Sequence, residues 1–158
     1  MIKTFQGNTI MELFTIGYEG LSQEGFISWL RSFNIDVVAD VRDLPLSRKK
    51  GFSKSGLNNF LAEQGIQYFN YRKLGIPKDK RDQLKESGDY VTFFRLIRKT
   101  IRTKIEQLDD ICRMINEGKT VALLCYERDP QKCHRKIVAE EIKKRDGNGL
   151  TIKHIEPL

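Results

Sequence analysis

Two apolar runs, VALLC at residues 121–125 and DVVADV at 36–41, do most to limit how this chain can fold. A strand with one face in water alternates apolar and polar residues; a nearly unbroken aliphatic run belongs to a strand covered on both faces, as in a parallel sheet. Shorter strand-like runs lie at 13–16, 67–70 and 150–155, and helical spacings stand between them. Ser22 is placed to cap a helix carrying Phe26, Ile27, Leu30 and Phe33. Ser53 or Ser55 can cap a second one carrying Leu57, Phe60 and Leu61, with Gly65 at its end. The polar stretch 77–90 reads as a short helix between loops. Phe94, Ile97, Ile101, Ile105, Leu108, Ile111 or Cys112, and Ile115 recur every three or four positions and predict one long helix that stops at Gly118. A last helix is expected from His134 to about Lys144.

Strands alternating with helices in connections of crossover length predict an α/β fold: a single three-layer domain with a mostly parallel sheet of about five strands and helices on both faces. The chain of 158 residues suits one domain able to bury its own core. That domain is expected to span residues 11–158, with 1–10 as an N-terminal extension, because Met11 stands immediately before the first strand. No apolar run approaches the roughly 18 residues that cross a bilayer, so no membrane partner is expected. Three cysteines cannot all pair, and two of them flank chemistry-bearing residues; reduced thiols in a cytoplasmic setting fit better than a disulfide framework. Nothing in the sequence sets an oligomeric state.

The formal charge of +7 is concentrated in three places. Arg42, Arg48, Lys49, Lys50 and Lys54 form one group; Arg72, Lys73, Lys78, Lys80, Arg81 and Lys85 form another. Arg95, Arg98, Lys99, Arg102 and Lys104 fall along the long helix. Clustered cations either attract a phosphate-bearing partner, nucleic acid or a nucleotide, or are simply solvated surface, and no standard nucleic-acid-binding module is present to decide between them.

In parallel α/β sheets, ligands bind outside the carboxyl ends of the strands where the strand order reverses. The first strand ends in Gly17, Tyr18 and Glu19, the second in Asp40, Val41 and Arg42, and the fourth in Cys125, Tyr126 and Glu127. A carboxylate inside an apolar strand is costly unless paired, and alternation puts Arg42 on the same face as Asp40. Asp40 is therefore expected to act as a base, to orient an anion-gripping arginine, or to form a structural ion pair; Ser47 and Arg48 follow in the adjoining loop. In CYERDPQKCHR, Cys133 is expected in the first turn of a helix, where the dipole and Arg135 favour thiolate. It would then be a nucleophile, with His134 or Glu127 moving protons, and Arg135 gripping an anion with Arg42. Cys125 reads as packing more than chemistry, and Cys112 as core.

Several chemistries have little or no support. Metal binding is a rival reading, since Cys125, Cys133, His134 and Glu127 supply enough ligand types for zinc, but the spacing C-x7-C-H lacks the CxxC grouping of structural sites, so no metal is expected. The zinc deaminase signature is missing. There is no P-loop and no GxGxxG, so no nucleotide cofactor is expected. The loop after Cys125 holds Glu127 and Asp129 and no glycine, unlike the anion cradle of cysteine phosphatases and rhodanese-like sulfurtransferases.

Four ordered blocks, TIGYEG at 15–20, DVRDLPLSRKKGFS at 40–53, YRKLG at 71–75 and LLCYERDPQKCHR at 123–135, resemble the DUF488 family, a family of unknown function. The resemblance runs from about Leu13 to Ile142. It implies that Gly17, Asp40, Arg42, Pro45, Ser47, Phe52, Leu74, Gly75, Cys125, Glu127, Cys133, His134 and Arg135 occupy the family's motif positions. Many members have His-Ser after the glycine, where this chain has Tyr18 and Glu19; Tyr18 retains a hydrogen-bonding or base-stacking capacity.

Two function classes remain. One is an enzyme acting on a phosphate-bearing or nucleic-acid substrate, with Asp40, Glu127, Cys133 and His134 catalytic and Gly17, Tyr18, Glu19, Arg42, Ser47, Arg48, Cys125 and Arg135 binding substrate. The other is a noncatalytic nucleic-acid-binding module that uses the basic loops and the arginine-bearing helix.

Overall fold

The computed structural model describes residues 3–5 and 8–157. Among them, β1 (Lys3–Phe5) and β2 (Asn8–Ile10) pair as an antiparallel ladder apart from the main sheet. The segment expected to be an extension thus contains regular structure of its own.

The main sheet joins β3 (Glu12–Gly17), β4 (Val37–Asp40), β5 (Gln67–Asn70), β6 (Val121–Cys125) and β7 (Thr151–Ile155) in the order β5-β4-β6-β3-β7. Every pair in it is parallel. The two runs that suggested doubly covered strands, β4 and β6, lie next to each other and are buried throughout. Helices cover both faces. On one side α1 (Gln23–Ser32) and α2 (Lys54–Glu63) pack Phe26, Leu30, Leu57 and Leu61 against Phe14, Ile16, Val38, Ala122 and Leu124. On the other, α5 (Ile105–Asn116) and α6 (Arg135–Asp146) pack Leu108, Ile111, Val138 and Ile142 against Leu13, Val37, Ala39, Val121 and Leu123. The α/β architecture with a parallel five-stranded sheet is as the sequence suggests.

The long periodic stretch is two helices, α4 (Tyr90–Arg102) and α5, with the break at Thr103 and Lys104. The Thr103 hydroxyl donates to the Thr100 carbonyl at 2.6 Å, a local bond that competes with continuation of the helical ladder. The apolar phase shifts there, and Ile105, expected on the buried stripe, is 49% exposed. The arginines of α4 are partly spent inside the protein. Arg98 donates to Glu140 and Glu141, and Arg102 to Glu141, so two of the cations read as a nucleic-acid surface bind α4 to α6. The polar segment after residue 77 forms α3 (Lys78–Ser87), which has no buried residue.

The caps are mixed. Ser22 accepts the Gly25 N–H at 3.0 Å, as expected of an N-cap. Ser53 precedes α2 but makes no capping bond; its hydroxyl instead accepts the Ser47 N–H and folds the basic loop back on itself. No helix among the described residues is long and apolar enough to cross a membrane.

Strand order locates the functional edge. The chain moves from β3 to β4 to β5 toward one side of the sheet, then returns to β6 and leaves for β7 on the other side. The direction reverses after β5, so β6 sends its outgoing connection to the opposite side from those of β3 and β4, and the crevice expected of such folds opens where β6 meets these two neighbours.

Candidate functional site

At that carboxyl edge lies a cleft of about 630 Å³. Tyr18 and Glu19 from the end of β3, Arg42 from β4, and Cys125, Tyr126 and Glu127 from β6 line its floor with His134. The loop after β4 contributes Leu46, Ser47, Arg48 and Lys49; Arg81 and Lys85 of α3 and Phe93 and Phe94 of α4 form the opposite wall. Seven Lys or Arg side chains line it against four Asp or Glu, which gives the opening a positive field suited to an anion.

Asp40 and Arg42 form the pair that strand alternation predicts. Arg42 Nε meets both carboxylate oxygens, at 2.9 and 3.1 Å, and Nη2 meets Oδ2 at 2.7 Å. The Arg42 backbone N–H and the Tyr68 hydroxyl also donate to Asp40. Asp40 is fully buried and does not line the cleft, so its accepting capacity is spent on holding Arg42 and Tyr68. Burial and the Asp40 carboxylate hold the Tyr68 hydroxyl in its neutral form by raising its pKa. Burial opposes the charge on Arg42, but Asp40 outweighs it and the guanidinium pKa is raised. Arg42 Nη1 donates to the Tyr18 hydroxyl at 3.2 Å. A guanidinium has five N–H groups, and two remain beyond those spent on Asp40 and Tyr18.

Tyr18 is itself only 2% exposed, with its ring stacked on Phe52 at 4.6 Å. The place where a base could stack belongs to Tyr126, which is 47% exposed and packs edge-on against Tyr18. The sequence places Tyr126 at the same edge without marking it for stacking, because its position at the end of a buried strand does not announce an outward ring.

Gly17 serves close packing: a Cβ there would run into the Glu127 carbonyl. Gly75 does the same against the backbone of Arg42 and Asp43. Glu19 accepts the Arg128 N–H at 2.9 Å, tying the ends of β3 and β6 together. Arg135, expected to grip an anion, is fully buried. Its guanidinium donates to Thr15 Oγ1, the Glu127 carbonyl and the Arg128 carbonyl, so it shapes the loop that presents Glu127 and does not face the cleft. His154 joins this network through Thr15 Oγ1 at 2.6 Å.

Cys133 also departs from expectation. The helix begins at Arg135 with His134 as its cap, and Cys133 has extended backbone at the close of the turn Pro130–Lys132. Its thiol is buried, and burial, followed by the neighbouring Cys125, pushes its pKa well above the usual range, the opposite of the thiolate predicted from the helix dipole. Cys125 does line the cleft, and its Sγ lies 3.3 Å from Glu127 Oε2. His134 Nε2 is 2.8 Å from the Val41 carbonyl, which can only accept, so Nε2 carries a proton and Nδ1 turns toward Cys125 Sγ at 3.7 Å. Burial disfavours the imidazolium, but Cys133, the Val41 carbonyl and Glu127 together outweigh it and raise the His134 pKa. Although their sequence spacing lacks the CxxC grouping, one ligand atom each from Cys125, Cys133 and His134 all lie within 4.8 Å of one another.

Compared with known protein families, residues 22–142 match the model of a domain of unknown function, DUF488. The chain belongs to the DUF488 family. The match contains Asp40, Arg42, Glu127 and the Cys125, Cys133 and His134 cluster, and it begins after the TIGYEG segment that brings Gly17, Tyr18 and Glu19 to the same edge. No curated protein and no solved structure matches this DUF488 chain.

Proposed function

We propose that the cleft is the active site of an enzyme acting on a phosphate-bearing substrate, a nucleotide or a nucleic-acid strand. The observation that carries this reading is that Arg42 and Glu127, from the ends of adjacent strands, line one cleft beneath a cationic wall. Binding alone would be served by the outer cations; a carboxylate at the floor, Glu127, supplies proton transfer.

Arg42, oriented by Asp40 and Tyr18, offers its two remaining N–H groups to a phosphate, with Arg48 and Lys49 beside it and Arg81 and Lys85 across the opening. Tyr126 and Phe93 give a base or other flat group an aromatic surface. Glu127, presented by the loop that Arg135 holds, moves the proton. Asp40 positions Arg42.

The test is turnover of a panel of nucleoside phosphates and single- and double-stranded oligonucleotides, read by mass spectrometry of the products. Glu127→Gln is expected to lower turnover by about 10²–10⁴-fold while leaving binding in place, and Arg48→Ala to weaken binding. Salt-sensitive binding of the whole panel without turnover, unchanged by Glu127→Gln, would replace this reading with a noncatalytic nucleic-acid-binding module.

A further inference from the structure

We infer that Cys125, Cys133 and His134 form a three-ligand site for a thiophilic divalent cation, zinc first, whose fourth position opens into the cleft. This goes beyond the proposed reaction and does not depend on it.

The donor set is two sulfurs and one imidazole nitrogen, the chemistry that selects zinc over the oxygen-loving cations. Tetrahedral zinc with bonds of about 2.3 Å to sulfur and about 2.0 Å to nitrogen holds its ligand atoms roughly 3.5–3.8 Å apart. Cys125 Sγ and His134 Nδ1 already stand at 3.7 Å, and no pair in the trio is further apart than 4.8 Å. The histidine is preset. Its Nε2–H is committed to the Val41 carbonyl at 2.8 Å, which fixes the ring and leaves Nδ1 as the lone-pair nitrogen facing the sulfurs. Metal-bound histidines are oriented in this way by a partner on the other ring nitrogen.

The backbone explains why the three meet. Cys125 ends a central strand, while Cys133 and His134 come from the far side of the 126–132 loop, which Arg135 draws back onto the end of β3 through Thr15 and the Glu127 and Arg128 carbonyls. All three ligands are buried, and Cys125 and His134 border the cleft. Three protein ligands with the remaining position toward a substrate cleft is the arrangement of catalytic zinc; structural sites close all four. Glu127, 3.3 Å from Cys125 Sγ, stands next to that open position without belonging to the trio. On binding, the two thiols lose their protons to solvent and the imidazole binds in its neutral form, so a Zn²⁺ with two thiolates leaves the buried site neutral.

The full-length protein is prepared under reducing conditions from zinc-supplemented growth, and its metal content is measured by mass spectrometry after dialysis. The metal-stripped protein is then titrated with Co²⁺. About one zinc per chain is expected, with thiolate-to-cobalt charge transfer in the near ultraviolet and intense tetrahedral bands in the visible. Cys125→Ser, Cys133→Ser and His134→Ala should each weaken binding by more than the about 10–100-fold lost when a second-shell partner is removed. Cys112→Ser and Glu127→Gln should retain the metal. If a ligand variant does not fold, the cobalt spectrum of the unmutated protein decides, since thiolate charge transfer requires cysteine ligands. Uptake of neither metal, a cobalt spectrum without thiolate bands, equal loss in Cys112→Ser, or a Cys125–Cys133 disulfide persisting in reductant would each overturn the inference. None of these readouts uses a substrate, so a failed turnover assay leaves them intact.

Discussion

Arg42 Nη2 lies 2.7 Å from Asp40 Oδ2, with the two side chains 7% and 0% exposed. This ion pair sits at the end of a strand whose other residues are aliphatic, where either charge alone is strongly disfavoured. It turns a guanidinium toward the cleft while keeping the carboxylate out of it.

Breaking the pair from one side should therefore be worse than removing it. Asp40→Asn is expected to lower unfolding free energy by about 3–5 kcal/mol, and the double change Asp40→Leu with Arg42→Met to cost less than that. Urea denaturation of the two variants checks it; equal losses would mean that the pair is not buried as the structure has it.

Gly17 is held against the Glu127 carbonyl with no room for a Cβ. Gly17→Ala is expected to cost about 1–3 kcal/mol, because backbone must move on one side or the other. The displaced 127–128 loop should also lower turnover, so denaturation and activity should fall together. A variant of normal stability would show that the loop yields freely.

Glu141 is buried on α6 beneath Arg98 and Arg102. Burial alone would raise its pKa, but the two arginines outweigh it and hold the carboxyl below its usual 4.5. In acid the unfolded chain then takes up this proton before the folded one. The stabilisation is full above about pH 4.5 and is lost as pH falls through the folded value. Glu141→Gln should cost about 1 kcal/mol at neutral pH, since both arginines are partly exposed, and should flatten the acid limb of a plot of melting temperature against pH. An unchanged acid limb would contradict the α4 to α6 tie.

Burial, helped by Asp146 and Asp109, pushes the Cys112 thiol up to about 11 from the usual 9.0. At about 11, the folded thiol carries about 100-fold less thiolate near neutral pH than an ordinary cysteine. Alkylation at pH 8, followed by peptide mapping, should show Cys112 labelled that much more slowly in the folded protein than in denaturant. Equal rates would place this thiol at the surface.

Much of the architecture was legible because it rests on local regularities. The unbroken apolar runs marked β4 and β6 as doubly covered, and the spacing of Phe26, Ile27 and Leu30 marked the buried face of α1. Alternation along residues 37–42 was enough to put Arg42 beside Asp40. The break between α4 and α5 was hidden because periodicity records which residues face the core and is silent about a hydroxyl that takes a carbonyl from the helix.

At the site, residue types were readable and their orientations were not. Arg135 and Arg42 are the same amino acid, one opening α6 and the other following β4, yet one is enclosed by carbonyls and the other faces an opening. Tyr18, given a stacking capacity in the sequence, is buried on Phe52, while Tyr126 is the ring turned outward. For Cys133 the helix dipole was the wrong quantity to weigh, since helix α6 starts two residues later and burial dominates the thiol.

What the amino-acid order determined by itself is the alternation of strands and helices, the doubly buried centre of the sheet, and the set of charged and sulfur-bearing residues at strand ends. These follow from side-chain periodicity and from the cost of leaving apolar surface in water, both properties of short segments. Tertiary structure alone decided which of those side chains share the cleft, which are enclosed as struts, and that Cys125 meets Cys133 and His134 despite a spacing that argued against it. The reason is that side-chain direction and burial depend on which strands are neighbours and where a loop is pulled back. Both are set by contacts between residues far apart in the chain, such as Thr15 with Arg135.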